Sequence, residues 1–498
     1  MAEKKTQGLT VKKENFSEWY VQIIQKAELI DKRLENSSGF YGYPPWGAEI
    51  LRNIEMLYEK ELSSKNHKLI RTPTAIPKIL LDKEKKHATG FAPEVFLITK
   101  GRGDKKLKFP KVLRPTGEAI MYPYFRYWIQ TYKDLPFKVF ETRPSFRAER
   151  TNAVFPLLRS CEFYWIEAHT TQTSNDYADL QIKEDVSIFN KVASEKLAIP
   201  FMIFKRPEWD KFAGADYTCA YDSPLPDGKI SQIGTTHNLG INFAKAFDVQ
   251  YVDENNETQY CYQTSFGIGV SKILGMLVAI HGDDAGLILP HEITPIQFVI
   301  IPIYYGDEQK KEVMKNAENL KSKLEGFKCT VDAREDYTPG WKFNEWELKG
   351  VPIRIEIGPK DIEKKQAVFV RRVDNKKSFI KLEEITKDKL EKMLSKSTEI
   401  MYEKAKKMFN ISTAKKYKDI LNKIDKGYHL IKIPFCGIEK CATKLKEETI
   451  KVRGIELFNA GCKTIKQSIE SSKKEAKGKK CAVCGKNAEK IVWVGRQY

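Results

Sequence analysis

Four cysteines near the end of the chain have the spacing of a metal site. They form two close pairs, Cys436-x4-Cys441 and Cys481-x2-Cys484. Four thiolates in two close pairs are a tetrahedral zinc signature, and a site with four protein ligands has no open position for a substrate. The spacing therefore predicts a structural zinc site, with free thiols as the alternative. Cys462 lies between the pairs and is a possible decoy ligand.

Two other segments contain residue types suited to binding phosphate. In FRAE (146–149) an arginine and a glutamate stand two apart, so on a strand they would share one face. A guanidinium can grip phosphate or carboxylate with two hydrogen bonds. In SFGIGVSK (265–272) small residues precede a helix start, which favours close approach of an anion. Taken alone, the first segment is better explained as a salt-bridged surface strand and the second as a tight strand-to-helix turn.

The elements that must position these residues follow from the hydrophobic pattern. Helical spacing of apolar residues marks 1–60, and 138–170 has the pattern of a strand, a loop and a strand. Two prolines interrupt the pattern at 289–297. Beyond them, strands that alternate with helices indicate a small α/β domain, and a charged helix follows at 384–410. The tract SSKKEAKGKK (471–480) is predicted to be a mobile basic loop.

Composition restricts the class of protein. The 498 residues are 41% hydrophobic and 30% charged, which is typical of a globular protein with two to four domains. The net charge of +19 favours a nucleic-acid partner, although lysine-rich surfaces are often only solvated faces. The sequence shows neither a secretory signal nor an apolar run of membrane-spanning length. We therefore expect a cytoplasmic protein whose paired cysteines bind metal, with no membrane contact.

Several longer segments give the short motifs a context. They are RPTGE (114–118), GFAPEVFLIT (90–99), DKFAGADYT (210–218), QIGTTHNLG (232–240) and TPGWKFNEWELKGVPIRIEIGPKD (338–361). In these segments and in their order the chain resembles prolyl-tRNA synthetases of class II, of the archaeal and eukaryotic-like type. FRAE with Arg159 is similar to the second motif of that family and GIGVSK to the third. TPTAIP is similar to the first motif, with Pro73 or Pro77 at a dimer edge.

The resemblance implies an α+β multidomain fold. It places a class II catalytic domain, an antiparallel sheet flanked by helices, at 1–290 and an α/β anticodon-binding domain at 295–383. A linker helix at 384–412 and a small C-terminal α/β zinc-binding domain at 413–498 follow. Bacterial-type relatives insert an editing domain, for which the interval 170–260 has no matching segment. A separate protein would then have to clear mischarged alanine.

The implied activity is that of a proline--tRNA ligase. Such an enzyme activates L-proline with ATP and Mg2+ to prolyl-adenylate and pyrophosphate, then transfers proline to the 3′ end of tRNA(Pro). The resemblance also implies a homodimer and a C-terminal tyrosine, here Tyr498, whose terminus reaches towards the active site. One alternative is a sister class II enzyme for threonine, glycine or histidine. The FAGADYT segment and the four tail cysteines do not favour this alternative. Another is a catalytically weakened relative that binds tRNA or an amino acid as a regulator.

The resemblance carries site residues over one by one. The implied proline site comprises Thr116, Glu118, Arg147, Trp165, Glu167, His169, Phe212, His237 and Ser265. The implied ATP site comprises Arg147, Glu149, Arg159, Ser160, Gln232, Thr235 and Lys272. Arg147 and Lys272 are the expected catalytic side chains, since positioning and charge stabilisation can supply the rate without a side-chain base. Without the resemblance, TGEA is equally typical of a helix N-cap. The aromatic and histidine residues would then be explained equally well as parts of a core.

Three positions depart from the family pattern. Lys272 stands where the third motif ends in arginine, so the charge is kept but the planar fork is lost. We expect retained activity with weaker ATP binding. Gly117 replaces a commoner serine, and Cys161 a frequent arginine.

The segment 338–361 implies recognition of the anticodon. Glu347, Arg354 and Asp361 match positions that read guanines, for which carboxylates and arginine have suitable acceptors and donors. Lys342 and Lys360 are the expected backbone contacts. A salt-bridged α/β surface is the competing explanation for each of these residues.

Overall fold

A computed structural model describes residues 8–87, 94–459 and 461–498, without the side chains of 84–87. Residues 90–93 of the GFAPEVFLIT segment lie outside this part. In the described part, no helix combines the length and the apolar character that a membrane span requires.

Up to residue 290, the described residues form a large, mainly antiparallel sheet, two small sheets of three and two strands, and the helices packed on them. The helices are α1 (Phe16–Lys26), α2 (Pro45–Ser64), α3 (Lys78–His87), α4 (Glu118–Trp128), α5 (Asn175–Asn190), α6 (Asn242–Phe247) and α7 (Val270–His281). The strands are β1 (Lys68–Leu69), β2 (Ala75–Pro77), β3 (Leu97–Lys100), β4 (Lys106–Leu113), β5 (Phe137–Phe146), β6 (Glu162–Gln172), β7 (Met202–Lys205), β8 (Tyr217–Pro224), β9 (Ile230–Gly240), β10 (Gln250–Val252), β11 (Thr258–Tyr260) and β12 (Tyr262–Ile268). In space the order is β1-β5-β6-β12-β9-β8-β7, antiparallel from β5 to β7.

Helix α7 forms the centre of the main core. Eleven of its residues are buried, as the apolar run ILGMLVAI predicts. It packs against β6, α1 and α2, with Trp19, Ile54 and Phe266 in the same cluster. This packing covers one face of the sheet and fixes the strand-to-helix turn at Gly269, directly before α7.

The second unit is a five-stranded sheet with order β14-β13-β15-β16-β17. Its elements are β13 (Phe298–Pro302), β14 (Cys329–Val331), β15 (Ile353–Ile357), β16 (Gln366–Arg371), β17 (Lys376–Lys381), α8 (Asp307–Lys323), α9 (Pro339–Leu348) and α10 (Pro359–Glu363). The first three strands of the order are parallel and the others antiparallel. The run FVIIP is buried throughout and pairs in parallel with β14 and β15, and continuous apolar runs of this kind are typical of such strands.

The charged helix α11 (Lys387–Met408) connects this unit to the others. Leu390 and Leu394 pack in the core of the five-stranded sheet, whereas Ala405 packs in the core of the large sheet. The helix is amphipathic, with lysines on its solvent side and an apolar stripe inward.

The last unit extends the large sheet rather than forming a separate one. Its elements are β18 (Ile411–Thr413), β19 (Leu430–Phe435), β20 (Ile450–Glu456), β21 (Lys490–Arg496), α12 (Tyr417–Asp425), α13 (Glu439–Glu447) and α14 (Ile465–Ala476). Strand β20 pairs with β7, and the order continues as β7-β20-β21-β19-β18. One eleven-stranded sheet therefore runs from the first unit into the last.

The predicted loop at 471–480 is wrong as far as Ala476, because these residues complete helix α14. The Thr464 side chain caps this helix, and Ile465, Ser472 and Ala476 are buried along one side. Ser472 Oγ also donates to the carbonyl of Ile491 in β21 at 2.8 Å. A face of small residues packed on a sheet stabilises a helix that the lysine-rich composition conceals.

Candidate active site

Three neighbouring strands, β6, β12 and β9, place several of the expected site residues on one face of the sheet. Along a strand alternate residues share a face, so Trp165, Glu167 and His169 of β6 lie together. The strand register sets Ser265 of β12 opposite His169, and His237 of β9 opposite Ser265. Residues far apart in the sequence therefore meet in a single row.

Two buried carboxylates occupy the centre of this face. Glu118 accepts a hydrogen bond from Ser265 Oγ at 2.8 Å and is also bonded to the Thr116 hydroxyl. Glu167 Oε1 lies 2.9 Å from Thr116 Oγ1 and accepts from the backbone N–H of Gly117 at 3.0 Å. Thr116 thus binds carboxylates. TGEA does begin a helix with an acidic first turn, as the alternative expects, but the N-cap of α4 is Gly117 and not Thr116.

The carboxylates retain unused acceptor capacity. Among the described residues, Glu167 Oε2 and His169 Nε2 are buried without a hydrogen-bond partner. A buried polar atom without a partner is costly unless a ligand satisfies it. Glu118, Glu167 and His169 also bring ligand atoms within 4.8 Å of one another. This pocket is therefore suited to a small cationic group such as an amine.

Histidine and aromatic side chains form the adjoining wall. His237 Nδ1 lies 2.8 Å from Thr218 Oγ1, and the Phe212 ring lies 4.6 Å from the His237 ring. Burial, followed by the neighbouring His169, lowers the pKa of His237 to about 3, so its imidazole is neutral at physiological pH. A flat apolar ring and a neutral imidazole suit the hydrocarbon part of a small ligand.

Trp165 covers the backbone of β12. A Cβ added to Gly267 would lie 2.3 Å from Trp165 Cζ2, so only glycine permits this ring position. Gly267 therefore has a steric role that its place in a glycine-rich motif does not reveal.

Arg147, Glu149 and Arg159 lie together at the open side of the face. The strand prediction for FRAE is wrong at this point, because β5 ends at Phe146 and the backbone N–H of Glu149 donates to the carbonyl of Arg147. Arg159 Nε donates to Glu149 Oε2 at 2.9 Å, and its Nη2 is ion-paired with the same oxygen at 2.8 Å. The Arg147 guanidinium lies over the Phe163 ring at 5.0 Å and is exposed to solvent. Two guanidiniums at an open rim suit a phosphate chain.

The other residues of the implied ATP site have separate surroundings. Thr235 Oγ1 donates to the Cys219 carbonyl at 3.2 Å, Gln232 Oε1 accepts from Arg206, and Ser160 is buried just before β6. Lys272 lies in the first turn of α7. Burial, with Arg147 and Arg159 nearby, lowers its pKa to about 8.

Gly117 and Cys161, the two other positions that depart from the family pattern, are both closely packed. A Cβ on Gly117 would lie 2.5 Å from Glu167 Oε2, so glycine permits the observed carboxylate position. Cys161 packs against Gly39, where a Cβ would lie 2.5 Å from its Sγ.

The four tail cysteines converge as their spacing predicts. Their sulfurs lie within 4.8 Å of one another, with Cys436 Sγ 3.6 Å from Cys441 Sγ and 3.8 Å from Cys484 Sγ. Zinc–sulfur bonds of about 2.3 Å in a tetrahedron set sulfurs about 3.8 Å apart. The thiol positions thus fit a zinc ion. Cys462 is not in this group.

The expected anticodon residues are only partly brought together. Arg354 on β15 is ion-paired with Glu347 on α9 and, at 3.0 Å, with Glu356. Asp361 instead accepts from the backbone N–H of Gly358 at the start of α10.

Lys342 is not available as a backbone contact. It is 4% exposed, and its Nζ donates to the Asp332 carbonyl at 2.9 Å. The position lies on the inward side of α9, which the sequence pattern around it does not indicate. Lys360 is exposed.

Sequence reasoning missed several residues that support the site. Arg114 is fully buried, donates to Glu141 at 2.7 Å and lies 3.8 Å from Glu167. The Tyr122 hydroxyl lies 3.0 Å from His169 Nδ1. Arg114 falls within the RPTGE segment, which was a usable signal, whereas nothing local in the sequence marks Tyr122.

Comparison with known proteins agrees with this arrangement. The antiparallel sheet and its arginine motifs are those of a class II aminoacyl-tRNA synthetase, and residues 103–281 match the model "tRNA synthetase class II core domain (G, H, P, S and T)". Residues 297–397 match "Anticodon binding domain", and residues 417–498 match "Prolyl-tRNA synthetase, C-terminal".

Individual relatives narrow the class to a family. The chain is 41% identical to the Proline--tRNA ligase of Thermofilum pendens and 38% identical to that of Ignicoccus hospitalis, over 99% and 98% of this chain and 99% of each relative. A crystal structure of prolyl-tRNA synthetase from Cryptosporidium parvum, complexed with halofuginone and AMPPNP, matches with a TM-score of 0.89 at 32% identity, covering 99% of both chains. The chain belongs to the prolyl-tRNA synthetase family.

Proposed function

We propose that this chain is a proline--tRNA ligase that uses ATP to load proline onto tRNA(Pro). A proline carboxylate oxygen attacks the α-phosphorus of ATP, and the bond to pyrophosphate breaks, which gives prolyl-adenylate. A hydroxyl of the terminal tRNA ribose then attacks the prolyl carbonyl and AMP leaves. The observation that carries this proposal is the buried carboxylate pocket beside an open rim of guanidiniums.

The pocket has the chemistry to hold proline. The secondary ammonium has two N–H donors, which Glu118 and the Thr116 hydroxyl oxygen can accept. The pyrrolidine ring packs between Trp165, Phe212 and the neutral His237. This leaves the proline carboxylate directed towards Arg147 at the rim.

The rim has the chemistry to stabilise the displacement. Arg147 bridges the attacking carboxylate and the α-phosphate, where negative charge develops. Arg159 and Lys272 hold the remaining phosphates, and no side-chain base is needed, because the carboxylate is already ionised. Glu149 stands where the family resemblance implies a contact with the adenine side of ATP. Gln232 and Thr235 stand where it implies binding of ATP and Mg2+, and the ion would neutralise phosphate charge there when bound.

The tail cysteines hold a structural zinc ion in this proposal. All four protein ligands are thiolates, so the ion has no position for substrate and stabilises the C-terminal unit. The enzyme is cytoplasmic, since translation takes place there.

We also assign the β2-β4-β3 sheet to a homodimer contact. Ile79, Leu97 and Phe109 on or beside this sheet expose 71%, 51% and 67% of their surface, and Pro73 is exposed next to it. Exposed large apolar side chains grouped on one small sheet are typical of a surface that a second copy covers.

ATP–pyrophosphate exchange across a panel of amino acids tests the activity. Exchange that depends on proline is expected. Exchange that depends on threonine, glycine or histidine instead would indicate a sister enzyme. If no amino acid supports exchange, the chain is a regulatory relative in which Lys272 has weakened catalysis.

The matched variant Glu118→Gln tests the amine contact. It keeps the size of the side chain but removes the charge that faces the ammonium. We expect a rise in proline KM of about tenfold or more, because hydrogen bonds to charged groups contribute about 1.5–3 kcal/mol. The ATP KM measured in the same exchange assay should stay within twofold, and a parallel rise in both would contradict the assignment.

A further inference from the structure

A buried cluster of charged residues joins the C-terminal unit to the catalytic sheet. Asp222 of β8 accepts from Arg206 at 2.9 and 3.2 Å and from Arg453 of β20 at 2.7 Å through both oxygens. The exposed fractions are 0% for Asp222 and Arg453 and 3% for Arg206. Two guanidiniums from different units therefore share one carboxylate in the interior.

Two β-bulges direct side chains into this cluster. The pairing of β8 with β9 shifts between Tyr221 and Asp222, so that Ile233 is the extra residue and Gln232 lies opposite Asp222. In β20 the pairing shifts around Arg453. The next residue, Gly454, has φ of +117° and approaches Lys205 of β7 so closely that a Cβ would lie 1.9 Å from its carbonyl oxygen.

The cluster ends on a residue of the ATP rim. Arg206 donates to Gln232 Oε1 at 2.8 Å. Because a guanidinium has only donors, this contact fixes the orientation of the Gln232 amide and turns its N–H donors the other way. In the proposed ATP site, phosphate oxygens would accept from these N–H donors.

The same cluster is tied to the end of the chain. Arg453 donates to Gln497 Oε1 at 2.9 Å, and the N–H of Tyr498 donates to the Ile230 carbonyl at the start of β9 at 3.0 Å. The Tyr498 ring lies 5.5 Å from Phe155, in the loop between Glu149 and Arg159. The C-terminal unit thus contacts the catalytic unit at Asp222, at the start of β9 and at the loop between Glu149 and Arg159.

Stability alone is a poor explanation for this cluster. The attraction within a buried ion pair offsets the free energy of desolvation only partly. Apolar residues of the same volume often give an equal or greater free energy of unfolding. Burial favours a raised pKa for Asp222, but Arg206 and Arg453 outweigh it and hold the pKa below its ordinary value. A carboxylate kept ionised between two arginines has rigid geometry, which suits a positioning role.

We propose that Arg453 is a positioning residue for ATP: through Asp222 and Arg206 it holds Gln232 in the orientation that binds the nucleotide. The C-terminal unit is then a functional part of the ATP site rather than only a zinc-stabilised appendage. This inference rests on the proposed function, because it concerns the same ATP site.

The experiment is ATP–pyrophosphate exchange with the full-length variants Arg453→Met and Arg453→Lys. We expect Arg453→Met to raise the ATP KM about tenfold, because Asp222 loses its hydrogen bonds from Arg453 and the orientation of Gln232 depends on them. The proline KM should stay within twofold, because these residues do not contact the proline pocket. Arg453→Lys keeps the charge but loses the two-point contact with Asp222, so its ATP KM should rise by about threefold, a partial rescue.

Arg372→Met is the matched control. Arg372 is also a buried arginine, 4% exposed, and it joins another unit to the catalytic one through Asp283 at 2.9 Å, away from the ATP rim. The ATP KM of the Arg372→Met variant should equal that of the wild type. An equal rise in this control, or parallel rises in ATP and proline KM in the Arg453 variants, would overturn the proposal.

Two outcomes separate this inference from the function itself. If the wild-type chain shows no proline-dependent exchange, the proposed function fails and the inference with it. If the wild type exchanges but the ATP KM of Arg453→Lys is unchanged, only the inference is wrong. Should Arg453→Met not fold, Arg453→Lys decides, because it retains a charge beside Asp222.

Discussion

Lys272 is close to two other positively charged side chains of the rim, Arg147 and Arg159. It is half-buried in the first turn of α7, and Arg147 and Arg159 add positive charge nearby. Burial first, and then these arginines, lowers its pKa to about 8, whereas an arginine at this position would stay charged. In the proposed function, the lysine would therefore make one phosphate contact dependent on pH.

The ATP KM of the wild-type chain should rise with pH. Lysine binds phosphate in its protonated form, and the protonated fraction falls as pH rises through about 8, so we expect an increase of up to about tenfold between pH 7 and pH 9. Lys272→Arg should have a lower ATP KM at pH 7 and should lose this dependence. Exchange kinetics at the two pH values test both points, and an unchanged or higher KM in the variant at pH 7 would refute the expectation.

Gly267→Ala should weaken proline binding. The new Cβ would lie 2.3 Å from Trp165 Cζ2, so the ring that covers the pocket must move. We expect a proline KM at least several-fold higher, since overpacking a rigid site costs about 1–3 kcal/mol. Gly340→Ala is the control, because a Cβ added to Gly340 would meet no neighbouring group within 4 Å. Equal KM values for both variants would contradict the role of Trp165.

At the scale of elements, the tail cysteines illustrate how separate segments form one site. Cys441 is carried by α13, Cys436 follows β19, and Cys481 and Cys484 lie in the turn between α14 and β21. All four are brought together only when β19 and β21 pair. The proposed zinc binding would therefore be coupled to the pairing of these strands.

Cys441→Ser should abolish zinc binding, whereas Cys462→Ser should not. The purified wild-type chain is expected to contain about one zinc ion per chain, as four-cysteine sites do. Metal analysis gives the stoichiometry, and thermal unfolding should show a lower Tm for Cys441→Ser alone. Loss of zinc in both variants, or its absence from the wild type, would be incompatible with the assigned ligands.

At the scale of the whole molecule, the units are joined at different points. The C-terminal unit continues the catalytic sheet through β7 and β20, whereas α11 and the Arg372–Asp283 ion pair connect the five-stranded unit. Arg354 and Glu347 of that unit pair with each other rather than with residues of the ATP rim. Amino-acid activation and tRNA recognition should therefore be separable by mutation.

Arg354→Lys should impair tRNA charging without affecting activation. Lysine keeps the charge but loses the planar fork that suits a guanine edge, so we expect the tRNA KM to rise about tenfold. ATP–pyrophosphate exchange should be unchanged. Arg371→Lys serves as the control in the same unit, since Arg371 pairs with Asp374 instead. A loss of exchange activity in Arg354→Lys would show that the variant disturbs the fold rather than recognition.

The amino-acid sequence by itself determined the features that depend on neighbouring residues or on short motifs. The apolar run of α7, the buried strand FVIIP, the cysteine pairs and the order of the family motifs all belong to this kind. Only the tertiary structure decided which distant residues meet. Asp222 and Arg453 stand 231 positions apart, and their contact depends on strand order and on two bulges. Helix α14 likewise depends on packing against β21, because hydrophobic periodicity is local whereas burial and ion pairing are set by the assembled sheet.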